Sequence, residues 1–287
     1  MKNAAVSSNH HKISAREKKD RLEVMIKTLI GIIFISPILM ALVFSFVPND
    51  KLYGLPALRT ILDNLTLENY RWMMANIPVG KYLSNTLLSC FLVIIVQTIT
   101  SVLAAYAFAC LDFKGKDTLF QIVLAAMMIP SEVCIICNFL TVRDMGLLNT
   151  LVGLCITSFV SCNSIFMMRQ TFKTLPHEIR EATLMDGCGE IRYLFQFAVP
   201  LSISSICSLA ITTFMGVYNA YLWPLLIARD SGHYTVQIGM SLLIDNEVPT
   251  YGRSMAGAIM SMLIPVVMFI IFQSYMVKGM TKGAVKG

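Results

Sequence analysis

Charge is scarce in this sequence. Of 287 residues only 14% are charged, against 56% that are hydrophobic, whereas a soluble domain carries about 25% charged residues. Also missing are the groupings on which most chemistry depends. No stretch reads Gly-x4-Gly-Lys-Ser/Thr, so the chain is expected neither to bind nor to hydrolyse ATP by itself. No nucleophile, base and orienting group stand together, so no catalytic residue is expected and an enzyme is set aside. The four histidines, His10, His11, His177 and His233, show no ligand spacing, so no metal site is expected. The net charge of +6 is not gathered into a basic run interleaved with aromatics, which excludes nucleic acid as a partner. Cysteine, by contrast, is plentiful at eight residues. Cys90, Cys134, Cys137, Cys155, Cys162 and Cys207 lie in apolar stretches and read as small buried hydrophobes, while Cys110 and Cys188 lie at or beyond the ends of such stretches. Cys134-x-x-Cys137 has the spacing of a redox or zinc pair but stands alone within an apolar run.

What the chain has is apolar length. Six stretches approach the roughly 20 residues that carry a helix across a bilayer: residues 24–47, 84–109, 118–140, 151–168, 201–227 and 255–277. The first is too long for the apolar core of a secretory signal and no Ala-x-Ala follows it, so it reads as a retained span. Pro130, Pro224 and Pro265 fall inside the third, fifth and sixth stretches, where neighbouring helices accommodate the backbone groups a proline leaves over. An even number of spans puts both termini on one side. Lys and Arg settle which: with the N-terminus inside, fifteen fall in inner segments and seven in outer loops, the bias that marks the cytoplasmic side. The expected organisation is a cytoplasmic tail (1–23), a first helix with an outer loop (24–83), a core of five spans (84–277) interrupted by a polar loop (169–200), and a cytoplasmic C-terminal tail (278–287).

That loop contains "HEIREATLMDGCGEIRYLFQFAVP", residues 177–200, too polar to cross a bilayer. Thr174 and Pro176 are start signals; Ile179, Ala182 and Met185 recur every three residues; Gly187 and Gly189 supply the positive φ that turns a chain; and Ile191, Leu194, Phe195 and Ala198 give a second amphipathic stretch before Pro200. A helix lying on anionic lipid is rich in Lys and Arg on its polar face. This one is mixed in sign, which favours docking into a partner.

The segment resembles the EAA loop of permease subunits of binding-protein-dependent ABC importers, whose pattern is Glu-Ala-Ala, three residues, Gly, nine residues, Ile, one residue, Leu-Pro. Here stand Glu181-Ala182-Thr183, Gly187, Phe197, Val199 and Pro200, with Thr183, Phe197 and Val199 as conservative departures. "LTLENYRWMM" (65–74), "NTLLSC" (85–90), "GLLNT" (146–150), "YNAYLWPLL" (218–226) and the C-terminal "KGMTKGAVKG" are similar to the carbohydrate branch, most of all to the second permease of sugar or glycerol-3-phosphate importers. The resemblance implies an all-α membrane protein of six transmembrane helices with the type I importer permease fold and a cytoplasmic coupling helix. It implies a multi-pass protein of the bacterial plasma (inner) membrane with both termini in the cytoplasm. It also implies a second homologous permease, two ATPase subunits that hold the ATP and Mg, an extracellular substrate-binding protein and the lipid bilayer as partners, with no cofactor on this chain. Glu178, Glu181, Ala182, Asp186 and Gly187 are the expected coupling residues.

Polar groups inside spans are functional candidates. Amides and aromatics suit a sugar, so the expected path residues are Glu132, Asn138, Asn163, Tyr218, Asn219 and Trp223, with Gln97 a further polar candidate. Interhelical hydrogen bonding and a place in the interfacial aromatic belt are the competing readings. For Glu132, lining a cavity and bridging two helices are both open. Glycerol-3-phosphate is the alternative cargo, suggested by "IPSEV" (129–133); no Lys or Arg lies well inside a span after Lys27, which leans towards a neutral sugar. A secondary transporter, the rival of a different class, favours internal repeats and charged pairs at the midplane, neither of which is found, and a structural scaffold leaves the loop unexplained.

Overall fold

The computed structural model describes residues 2–52, 58–243 and 250–281. Among the described residues all regular structure is helical, as the apolar runs require. In chain order the helices are α1 (Lys2–Ser45), α2 (Leu58–Asp63), α3 (Glu68–Asn76), α4 (Val79–Cys110), α5 (Lys116–Met127), α6 (Ile135–Asp144), α7 (Leu151–Cys155), α8 (Cys162–Lys173), α9 (His177–Met185), α10 (Glu190–Tyr193), α11 (Val199–Leu201), α12 (Ile203–Tyr218), α13 (Leu222–Ile227), α14 (Val236–Ser241) and α15 (Tyr251–Thr281). Residues 282–287 of the expected tail lie outside the described residues.

Three helical stretches are long and apolar enough to cross a membrane unbroken: Lys19–Ser45, Val79–Cys110 and Tyr251–Gln273. Three more crossings are bent pairs: Lys116–Met127 with Ser131–Asp144 (89°), Leu151–Ser158 with Cys162–Lys173 (51°), and Glu190–Leu201 with Ile203–Tyr218 (77°). Counting each pair once gives six by length and composition. α1 starts at Lys2, so the polar segment 1–23 continues into the apolar helix rather than standing apart from it.

The third of these bends falls at Ser202; the other two have a local cause. Pro130 ends the α-helical run of α5 because its ring excludes the residue before it from helical geometry; a short 3-10 turn, Ser131–Cys134, then starts the outgoing half. In the fourth span Ser161 is an N-cap whose Oγ accepts from Ser164 N at 3.3 Å, which starts α8 afresh; the expected unbroken helix over 151–168 is corrected here, and α8 continues to Lys173. The expected fifth span, 201–227, is also corrected. It stops at Tyr218, and 222–227 form the separate helix α13. Pro224 lacks an N–H and its ring clashes with the carbonyl four residues back, that of Ala220, inside the break. Pro265 is absorbed without a break within α15, as Pro37 is within α1.

The chain divides into two compact units. One comprises Met1–Met73 and Asp245–Met260. In it buried Asn69 donates to Ser45 O (2.9 Å) and Val47 O (2.8 Å), Gly252 N donates to Asn49 Oδ1 at 3.0 Å, and the Arg253 guanidinium sits 4.0 Å from the Trp72 ring centre. The other comprises Met74–Ile244 and Ser261–Gly287. Here α4 is the axle, packed most extensively on α8 and α12. Apolar burial alone does not drive helices together in lipid, and the polar pins are correspondingly specific: Gln97 Nε2 donates to Ser164 Oγ (2.7 Å) and Thr213 Oγ1 (3.1 Å), tying α4, α8 and α12 in one contact.

Candidate functional site: an elbow and a polar cavity

Residues 174–200 form an elbow that leads from the end of α8, through α9, into the first half of the fifth crossing. Thr174 closes α8, with Oγ1 donating to Thr171 O at 2.7 Å, so it ends one helix rather than starting the next. Pro176 precedes α9. The end of α9 is a Schellman cap: Gly187 N donates to Leu184 O and Cys188 N to Thr183 O, both at 3.0 Å. Gly187 has φ +79°, a conformation that favours glycine. Gly189 does not supply a second positive φ; at φ −69° it is extended and precedes α10.

The face α9 turns inward is Ile179, Arg180 and Thr183, all half-buried. Glu178, Glu181 and Ala182 are exposed together with Met185, which is 88% exposed; spaced at three and four residues, they form one outward face. Asp186 and Gly187 follow at its exposed end. The expected apolar repeat Ile179, Ala182, Met185 is thus split, with only Ile179 facing the protein. The second half is corrected as well. Leu194 and Ala198 are buried beside Tyr193, but Ile191 and Phe195 are 76% and 58% exposed. Residues 194–198 form a π turn ahead of Pro200, so the helical period assumed for those four residues does not hold.

The elbow is held by a core of Tyr106, Met168, Phe172, Tyr193, Leu194, Ala198 and neighbours. Tyr106 meets Phe172 edge-on at 5.9 Å, and Tyr193 stacks on Phe197 at 5.9 Å. Arg169, expected in the loop, is instead buried in α8, with Nε donating to Phe108 O at 3.1 Å and the guanidinium 3.8 Å from the Phe120 ring centre.

Between the broken helices lies a cavity of about 440 Å³. Glu132 and Asn138 reach it from the second half of the third crossing and Trp223 from α13, joined by the hydroxyls of Thr86, Ser89, Thr157 and Ser158 and by Tyr221. Glu132 is the one charged side chain among the described residues lining it, and the Ser131 hydroxyl donates to it at 3.0 Å. A second cavity, about 370 Å³, contains Asn163 and Gln97 and shares Thr157, Ser158, Gly216 and Val217 with the first. Two expected path residues lie elsewhere. Asn219 is exposed and lines neither cavity. Tyr218 is buried, and its hydroxyl donates to Ser261 O at 2.7 Å. Ser261 is four residues before Pro265, so its carbonyl faces a proline that has no N–H to offer; the Tyr218 hydroxyl supplies a donor. The missed residues are Tyr221 and the hydroxyls of Thr86, Thr157 and Ser158. The one sequence signal for Tyr221 was the doubled aromatic of "YNAYLW".

At one end of the larger cavity two of the quoted stretches meet. Asn149 (φ +56°) donates from its N to Ile227 O at 2.9 Å and accepts from Arg229 N at 2.8 Å. The Trp223 indole donates to Gly153 O at 3.3 Å, and a Cβ on Gly153 would lie 2.1 Å from Leu147 O. Asn149 Nδ2 also donates to Asp230 at 2.5 Å; that bond, with a smaller contribution from His233, holds the Asp230 carboxyl below its ordinary range. Among the described residues no cluster of His, Cys, Asp or Glu is arranged to hold a metal ion.

Comparison with known proteins adds the following. Residues 13–282 match the family described as binding-protein-dependent transport system inner membrane component. An arabinooligosaccharides transport system permease protein of Halalkalibacterium halodurans is 30% identical over 261 residues, 90% of this chain and 93% of that one. An sn-glycerol-3-phosphate transport system permease protein of Yersinia pestis is 31% identical over 205 residues, 71% of this chain and 73% of that one. Among solved structures, a chain of a bacterial ABC transporter involved in the import of the acidic polysaccharide alginate superposes with a TM-score of 0.75 at 20% identity, covering 88% of this chain and 95% of that one.

Proposed function

The chain belongs to the binding-protein-dependent transport system inner membrane components, and from that premise we propose that it is one of two homologous permeases forming the path for a neutral sugar or oligosaccharide, driven by separate ATPase subunits through α9. In this reading ATP and Mg reside in the ATPase subunits, an extracellular binding protein delivers the cargo, and the termini and the elbow lie in the cytoplasm of a bacterium. The match to a binding-protein-dependent family favours this reading over a transporter working without ATPases.

The outward face of α9 is the observation that carries the coupling. It is a short, capped helix outside the apolar crossings, with Glu178, Glu181, Ala182 and the almost fully exposed Met185 on one side and nothing of this chain required to cover them. Carboxylates rimming an apolar knob suit a groove on a protein with matching cations. Glu181 supplies the charged contact, Ala182 allows close approach, and Asp186 and Gly187 fix the exit of the chain.

The cavity supports a neutral cargo. Its hydroxyls, the Asn138 amide, and Tyr221 and Trp223 match the hydroxyls and apolar ring faces of a sugar. Its single carboxylate, Glu132, repels a phosphate or uronate, so glycerol-3-phosphate is the less suited alternative. Glu132, Asn138, Asn163 and Trp223 are the path residues proposed here; Tyr218 and Asn219 are not among them.

Two experiments test this. Glu181→Lys should abolish uptake while the chain still inserts and still carries its partner permease through purification; normal uptake would remove the docking role. Uptake of labelled arabinotriose set against labelled sn-glycerol-3-phosphate, in cells with and without this chain, tests the cargo class, and dependence of the phosphate alone on the chain would overturn the neutral reading.

A further inference from the structure

One polar contact serves neither the cavity nor the outward face of α9. The Glu190 carboxylate is shared: Oε1 accepts from Arg180 Nη2 at 2.5 Å and Oε2 accepts from the Tyr106 hydroxyl. Arg180 is on α9, Glu190 opens α10 beyond the Gly187 turn, and Tyr106 is in the last turns of α4. Among ion pairs of the described residues this is the one whose partners are both mostly sheltered, at 26% and 37% exposure. Tyr106 is 4% exposed, and its ring is fixed by Phe172 and Tyr193, so its hydroxyl is an anchored point.

α9 otherwise has little hold on the protein. Beyond Arg180 its half-buried side chains are Ile179 and Thr183, and it joins α10 through a single left-handed glycine. A helix attached in this way swings about the glycine when pushed. We propose that Arg180, Glu190 and Tyr106 form a clasp that locks α9 to α10 and both to the end of α4, so that a displacement of α9 reaches α4 instead of being absorbed at Gly187. All three are positioning residues, touching neither cargo nor nucleotide. α4 is the helix on which α8 and α12 pack, and through Thr86 and Ser89 it also lines the larger cavity. The clasp rests on the coupling reading given above and adds to it the route by which motion enters the bundle.

The test uses the whole importer, purified through a tag on this chain and placed in lipid nanodiscs, with ATP and vanadate as probes. A cysteine at the cavity residue Ser131 reports opening by its labelling with an impermeant maleimide, read on that peptide by mass spectrometry. Tyr106→Phe keeps the ring and removes the hydroxyl; Glu190→Gln keeps the shape and removes the charge. Each should leave ATP hydrolysis within about twofold while cutting the vanadate-induced change in labelling by about threefold or more, the size expected for directly coupled contacts. Exchanging the pair, Arg180→Glu with Glu190→Arg, should restore part of the response lost in Arg180→Glu alone. A parent-sized response in Tyr106→Phe and Glu190→Gln overturns the clasp, as does a fall in hydrolysis parallel to the fall in labelling, or an exchange that restores nothing. No response in the parent, or a normal one with Glu181→Lys, overturns the coupling reading itself.

Discussion

Three residues show how differently polar side chains are used in one apolar bundle. Tyr218 spends its hydroxyl on the Ser261 carbonyl. Tyr218→Phe should cost about 1 kcal/mol, seen as a lower Tm of the purified complex, with the apparent affinity for cargo unchanged; an altered affinity would return Tyr218 to the path. Glu132 is the reverse case, on the cavity and exposed in the single chain. Glu132→Gln should lower uptake with little change in Tm, and unchanged uptake removes it from the path. Asp230 binds a loop together, through Asn149, the Gly232 amide and His233. Its folded carboxyl titrates below the ordinary value, so its contribution is present above the unfolded value of roughly 3.9 and is lost only as pH falls through the lower folded one. The segment 228–235 should therefore keep its amide-exchange protection at mildly acidic pH; protection lost as soon as ordinary carboxyls protonate would contradict this.

At the scale of elements, turns decide the outcome. Gly187 needs its φ of +79°, whereas Gly189 sits at φ −69° with open space around a Cβ. Gly187→Ala should cost about 1–2 kcal/mol of strain and depress uptake, while Gly189→Ala should leave uptake near normal; equal effects would show that the turn is not the constraint. These two glycines also mark the limit of legibility. The sequence shows that residues 177–200 turn, because Gly, Asp and Pro are punctuation read from chemistry alone. It does not show which glycine turns them, because φ depends on where the flanking helices are held. Apolar length likewise revealed six crossings, but three of them are broken. Pro130 marks the break in the third crossing, and Pro224 marks the separate helix α13 beyond the fifth; neither the Ser161 cap in the fourth crossing nor the bend at Ser202 in the fifth has a proline at it. The Ile191–Phe195 pair misled because a π turn changes the period. In the cavity Glu132, Asn138 and Trp223 were legible as polar or aromatic groups in greasy surroundings. Thr157 and Ser158 were not, since short hydroxyls most often bond nearby backbone; they and Tyr221 reach the cavity from the breaks between helices, at the turn 156–158 and just before α13.

For the whole molecule the distribution of burial is the main observation. The window of α1 within Lys19–Ser45 is 6% buried and that of Tyr251–Gln273 is 11% buried, whereas that of α4 is 33% buried. Helices so bare within their own chain are consistent with the proposed pairing, in which they face lipid or another subunit. Native mass spectrometry of the tagged importer should find one copy of this chain beside one copy of a homologous permease; two copies of this chain would overturn the pairing. One buried detail also constrains how such a molecule diverges. Pro265→Ala would place a backbone N–H four residues beyond the Ser261 carbonyl, which already accepts from the Tyr218 hydroxyl. The two positions are therefore coupled, and losing the Tyr218 hydroxyl should cost less after Pro265→Ala than before it.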